Sequence, residues 1–118
     1  MRITVLTDNT GSGRLKGEWG LSFFIEYEGK RILLDTGGSG LFRTNADLLG
    51  LDLSSVDAAV LSHAHYDHSL GMEAFFRANV AAPFYLQREA KEDCYGRKLI
   101  FSRYIGIEKG LLSRRAER

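Results

Sequence analysis

From Leu21 to Tyr27 the chain alternates: Leu21, Phe23, Ile25 and Tyr27 fall on one side and Ser22, Phe24 and Glu26 on the other. That period of two is the signature of a strand. Glu28-Gly29-Lys30 reads as a tight turn, with Gly29 able to take a positive φ, leading into a returning strand over residues 31–34, so that the two form a hairpin. A short strand over residues 3–6 precedes them. Residues 8–17, rich in glycine and without apolar period, are expected to form a flexible loop. Leu41, Phe42, Asn45, Leu48 and Leu49 then repeat at helical spacing, capped by Ser39 and ended at Gly50 with Leu51 packing back. The apolar run 56–61 reads as a buried strand. Met72, Phe75 and Phe76, spaced i, i+3, i+4, place a helix over about 68–79. Residues 83–86 read as a further strand and the charged stretch 88–98 as a short surface helix. Residues 99–107 are apolar and aromatic, and the basic tail 113–118 is expected to be frayed.

Strands followed by helices, opened by a hairpin, give an α/β layer: a mixed sheet with helices on one face. The other sheet face then needs cover, and Leu21, Phe23, Ile25 and Tyr27 are candidates to line it. At 118 residues the chain is a single domain, 1–118, with room for a real core and neither repeats nor a linker. A net charge of +1 offers no surface for nucleic acid or membrane. Cys94 is the only cysteine, so no intrachain disulfide can form and a reducing compartment is expected. The start, residues 1–8, is too short and polar for a signal peptide, and no apolar run approaches a membrane span. The chain reads as soluble and cytoplasmic.

The chemistry lies in Ser62-His63-Ala64-His65-Tyr66-Asp67-His68, which contains all three histidines of the chain. One histidine alone is most often an ordinary surface or core residue. Three so close, with an aspartate between and a strand-to-helix setting, point to metal instead. At a strand end, residues two apart share a side, so His63 and His65 can converge on one ion. Asp67 and His68 are neighbours at a helix start, diverging by roughly 100° about the axis. They suit a second ion at the roughly 3.5–4 Å separation of two-metal hydrolytic sites. Imidazole and carboxylate without thiolate suit zinc, iron or manganese. Asp35-Thr36-Gly37-Gly38-Ser39-Gly40 is a glycine-rich loop after a strand. It lacks the lysine of a P-loop and the spacing of a dinucleotide fingerprint, and reads as a strand-to-helix turn.

His63-Ala64-His65-Tyr66-Asp67-His68 matches the HxHxDH signature of the metallo-β-lactamase-like hydrolases. Gly20-Leu21-Ser22-Phe23-Phe24-Ile25-Glu26, Ile32-Leu33-Leu34-Asp35-Thr36-Gly37, Asn45-Ala46 and Leu49-Gly50-Leu51-Asp52-Leu53 resemble one branch of them. It is the 7,8-dihydropterin-6-methyl-4-(β-D-ribofuranosyl)aminobenzene 5′-phosphate synthase-like branch. The resemblance runs over about residues 3–107 and is weakest after Tyr85. It implies the first half of an αββα sandwich. It also implies two zinc ions, with iron or manganese as alternatives: His63 and His65 on the first, Asp67 and His68 on the second. Asp35 would steady the metal loop from behind the ligands. A hydroxide activated by the ions would attack a phosphoester-like or pterin-phosphate small molecule, with Asp67 orienting it as the catalytic residue.

A complete site of that family takes further histidines and a bridging aspartate from later in the chain. No histidine follows His68 here, and Asp93, the one later aspartate, stands in a different setting, Lys91-Glu92-Asp93-Cys94. Two readings follow: the N-terminal part of a metal-dependent hydrolase or synthase, or a non-catalytic metal-binding half-domain acting as an interaction module. In both, the uncovered sheet face should meet a second copy of the chain, a separate partner or the missing C-terminal half. A two-fold homodimer is the simplest cover.

Overall fold

The computed structural model describes residues 1–98 and 101–117. Leu99, Ile100 and Arg118 lie outside the described residues, and with them parts of the apolar run 99–107 and of the basic tail. The main sheet has the order β1 (Arg2–Thr7), β2 (Ser22–Tyr27), β3 (Lys30–Leu34), β4 (Ala58–Val60), β5 (Phe84–Tyr85). The first three strands are antiparallel neighbours, whereas β3–β4 and β4–β5 are parallel. Parallel neighbours need long crossovers. These carry α1 (Leu41–Leu48) and then α2 (Tyr66–Ser69) with α3 (Met72–Ala78). The expected hairpin is β2–β3, turning through Glu28 and Gly29, both at positive φ.

Strand alternation decides what is buried. Phe24, Leu33, Ala59 and Phe84 stand side by side across four strands and point into the core. The helices answer with Phe42 and Ala46 from α1 and Met72, Phe75 and Phe76 from α3, all buried. The Phe84 ring lies 5.8 Å from that of Phe75 and 5.5 Å from that of Phe76. Each phenylalanine, leucine or methionine of this set removed from water contributes about 1.5–3 kcal/mol. Helix α1 ends as expected: Gly50, at φ 69°, donates to the Asp47 carbonyl, and Leu51 N–H returns to the Ala46 carbonyl. At its start Ser39 accepts from Leu41 N–H, although Gly40 holds the cap position.

On the opposite sheet face, Ile3, Ile25, Ile32 and Ala58 are in register, as are Val5, Phe23, Leu34, Val60 and Tyr85. Part of this face is open to solvent. Ile3 is 52% exposed, Val5 44% and Tyr85 60%. The expected one-sided layer is therefore what the chain forms, with an apolar face open along the sheet.

Four expectations need correcting. Residues 8–17 are not a loose loop: the Asn45 amide donates to the Leu6 and Lys16 carbonyls, and Glu18 N–H donates to the Asp8 carbonyl. The single helix over 68–79 is two, α2 and α3. At Gly71 the chain turns against the Asp35–Gly40 loop so closely that a Cβ would collide with the Thr36 carbonyl oxygen. The charged stretch 88–98 is a 3-10 turn, Arg88–Lys91, followed by a strand, β6 (Tyr95–Lys98), paired with β7 (Phe101–Tyr104). It lacks the apolar period that would hold a helix down, while the Tyr95 and Tyr104 rings meet across the β6–β7 pair at 5.5 Å. The tail is also docked: in α4 (Leu111–Arg114) Leu111 is buried, and Arg115 reaches the Glu73 carboxylate at 2.8 Å.

Candidate metal centre

The site is built where β3 and β4 end side by side, since parallel neighbours bring their C-terminal ends to one edge of the sheet. β3 delivers Asp35 and β4 delivers Ser62 and His63. Asp35 is buried and adopts φ 59°, a left-handed conformation that costs a non-glycine residue about 1–3 kcal/mol unless the surroundings enforce it. The surroundings do enforce it. Asp35 N–H donates to the Val60 carbonyl, and the Ser22 hydroxyl donates to the Asp35 carbonyl.

The Asp35 carboxylate then acts on three groups at once. One oxygen accepts from Ser62 N–H at 2.7 Å. The other accepts from the Ser62 hydroxyl at 2.6 Å and faces His68 Nδ1 at 2.8 Å. A carboxylate oxygen accepts, so the contact favours the tautomer in which His68 Nδ1 donates and Nε2 offers its lone pair. The Ser62 hydroxyl has one proton and gives it to Asp35, so it can only accept from His63 Nδ1, 3.0 Å away. His63 Nε2 is thereby freed as well. One carboxylate sets the tautomer of two imidazoles, the second through a serine.

The remaining groups converge around these. The His63 ring lies 4.6 Å from that of His65 and 4.1 Å from that of His68, and Asp67 Oδ2 stands 3.8 Å from His68 Nε2. His65 occupies the N-cap position of α2 without a side-chain capping bond, so Asp67 and His68 both lie in its first turn. Backbone bonds fix the loop from several sides: Thr36 N–H and hydroxyl to the His68 carbonyl, Leu21 N–H to the Asp67 carbonyl, and Tyr66 N–H to the Ile105 carbonyl. His63 is held below the usual imidazole range, first by partial burial and then by the neighbouring His68 and His65, with Asp35 and Asp67 opposing. A neutral imidazole is the form that binds a metal.

His63, His65, Asp67 and His68 are thus brought together at one rim, with Asp35 beneath them. Three imidazoles and a carboxylate, two of the imidazoles with Nε2 freed, fit zinc, iron or manganese. Among the described residues, no three His, Cys, Asp or Glu groups are placed so that they could hold one metal ion together. A cavity of about 550 Å³ lies elsewhere, against Tyr104, Ile107 and Leu112. Sequence reasoning assigned no role to Ser62 or Ser22. Their position beside the motif and at the strand start was the only available signal, and a serine there has many ordinary uses.

The profile of the metallo-beta-lactamase superfamily matches residues 19–116. An uncharacterised protein of Methanocaldococcus jannaschii is 33% identical over 108 residues, covering 91% of this chain and 41% of the relative. The 7,8-dihydropterin-6-methyl-4-(beta-D-ribofuranosyl)-aminobenzene-5'-phosphate synthase of the same organism is 45% identical over 60 residues, covering 45% of this chain and 20% of the synthase. Among solved structures, a metal-dependent hydrolase of the beta-lactamase superfamily superposes with a TM-score of 0.67 at 28% identity, over 90% of this chain and 36% of the other. The chain therefore spans well under half the length of these proteins. With the matched profile extending over most of its residues, the chain belongs to the metallo-beta-lactamase superfamily.

Proposed function

We propose that this chain binds metal ions through His63, His65, Asp67 and His68 and forms part of a hydrolase or synthase acting on a phosphoester-like or pterin-phosphate small molecule. The observation that carries the reading is the Asp35 network, which frees the Nε2 lone pairs of His63 and His68. Zinc suits the donors, with iron or manganese as alternatives. His63 and His65 hold one ion; Asp67 and His68 hold the other. Bound ions would supply Lewis acidity and a water of lowered pKa. Asp67 accepts a hydrogen bond from the attacking water and orients it, and the buried Asp35 keeps His68 turned toward the rim. The substrate class rests on the likeness to the synthase alone. A cytoplasmic setting fits the single free cysteine, Cys94.

A second reading is favoured by the open face of the sheet: a metal-binding half-domain that pairs with a second copy through Ile3, Val5, Phe23, Ile25 and Tyr85. The absence of any histidine after His68 in this chain supports low turnover on its own. Metal content, mass in solution and phosphodiester hydrolysis of the 118-residue chain separate the readings. Metal-dependent turnover lost in Asp67→Asn supports the hydrolase. Metal binding in a dimer without turnover favours the half-domain, and failure to bind metal refutes both.

A further inference from the structure

Two segments hold the last two donors of the metal loop by their backbone. Leu21 N–H donates to the Asp67 carbonyl at 3.2 Å, and Thr36 N–H and hydroxyl donate to the His68 carbonyl at 2.8 and 3.0 Å. These segments, residues 18–21 and the loop 35–40, are joined to each other by Glu18. One oxygen of its carboxylate accepts from Gly38 N–H at 3.1 Å and the other from the Ser39 hydroxyl at 2.6 Å. A backbone bond runs beside them, from Gly37 N–H to the Leu21 carbonyl at 2.9 Å. The glycine-rich loop is shaped to receive the carboxylate: Gly37 sits at φ 72°, and a Cβ there would lie 2.6 Å from Glu18 Oε1. The contact also brings backbone onto backbone, since a Cβ on Gly20 would lie 2.5 Å from the Asp67 carbonyl oxygen. Among the described residues no lysine or arginine pairs with Glu18. Its carboxylate therefore serves the loop and not an ion pair.

We infer that Glu18 is a positioning residue for the metal centre: by tying residues 18–21 to the loop 35–40, it sets where Asp67 and His68 stand relative to His63 and His65. This deepens the proposed function and rests on that reading for the ions alone. Leu21 and Thr36 act on the backbone of the second pair of donors. A loosened clamp therefore shifts Asp67 and His68, while Asp35 and Ser62 still hold His63. Groups that orient metal ligands are worth about 10–100-fold in affinity, and Glu18, acting through two backbone bonds, belongs at the lower end. Glutamine separates the hydrogen bonds from the charge. Its oxygen can accept from Gly38 N–H, and its NH₂ group can donate to the Ser39 hydroxyl oxygen once that hydroxyl turns its proton away.

The test is amide hydrogen exchange of the metal-free chain, followed by zinc titration of the same samples. In Glu18→Ala the Leu21 and Thr36 amides should exchange about tenfold faster, as local loss of two hydrogen bonds requires. The Ala59 and Leu61 amides, bonded to the Pro83 and Tyr85 carbonyls in the core sheet, should keep the parent rate. Glu18→Gln should exchange as the parent does. With zinc, Glu18→Ala should bind the second ion about tenfold more weakly and the first as tightly as before, and Glu18→Gln should restore the second. Failure of the parent to take up zinc would refute the proposed function alone, because exchange is read without metal. Unchanged exchange at Leu21 and Thr36 in Glu18→Ala, or faster exchange that includes Ala59, would overturn this inference. Equal weakening of both ions, or a glutamine variant as impaired as alanine, would overturn it as well.

Discussion

Replacing Asp35 by asparagine tests the network beneath the ligands with the least disturbance of the fold. Asparagine has the same shape, and with aspartate it is among the few residues that tolerate the left-handed backbone seen at φ 59°. The side chain, however, loses one acceptor and gains two donors. If its oxygen keeps Ser62 N–H, its NH₂ group confronts the Ser62 hydroxyl and His68 Nδ1, which now donate at 2.6 and 2.8 Å. Both partners must turn. His68 moves its proton to Nε2, where it blocks the lone pair that would bind metal, and Ser62 no longer fixes the tautomer of His63. Loss of a partner of this kind costs about 10–100-fold in metal affinity, or roughly 1.4–2.7 kcal/mol. Losing hydrogen bonds to a charged group costs a further ~1.5–3 kcal/mol of stability. Competition against a chromophoric chelator measures the first quantity and urea unfolding the second. Zinc affinity unchanged in a folded Asp35→Asn protein would refute the argument and return Asp35 to the role of a turn residue.

Gly71→Ala should destabilise the fold by about 2 kcal/mol or more, because its Cβ meets backbone carbonyls that cannot yield; a midpoint in urea within error of the parent would contradict this. Glu73 is held below the usual carboxylate range, first by its hydrogen bond from Arg115. Its contribution is therefore present above about pH 4.5 and lost as pH falls through the lowered value. Hydrogen exchange in α4 should accelerate over that acid range, and should become insensitive to it in Glu73→Gln. In metal-free protein, His63 binds fewer protons folded than unfolded, so stability should decline as pH falls below about 6.5, and less so in His63→Ala. Where the parent chain self-associates, Phe23→Glu, on the open sheet face, should lower the mass read by light scattering; an unchanged mass would remove that face from any self-association.

The half-sandwich was readable because its elements announce themselves separately. The alternation of residues 21–27, the helical spacing from Leu41 to Leu49 and the apolar run before His63 each fix a period, and the strand register then puts Phe24 inward and Phe23 outward. The motif located the imidazoles but not what orients them. Asp35 was reachable only by resemblance, and Ser62 not at all, since the bond from a hydroxyl to a carboxylate 27 positions earlier depends on two strand ends lying in parallel. The C-terminal third was the least legible. Residues 88–98 carry charge without period, and their pairing with β7 is set by cross-strand partners such as Tyr95 and Tyr104. The docking of Arg115 on Glu73 spans 42 positions and leaves no local trace.

Everything proposed about the chemistry depends on metal binding by the four donors at the rim. The most direct measurement is elemental analysis of the protein purified without chelator, set beside His63→Ala/His65→Ala prepared in the same way. The parent should carry zinc, iron or manganese, and the double variant, still folded by circular dichroism, should have lost most of it. Equal metal in the two proteins, or none in either after incubation with zinc, would contradict the account.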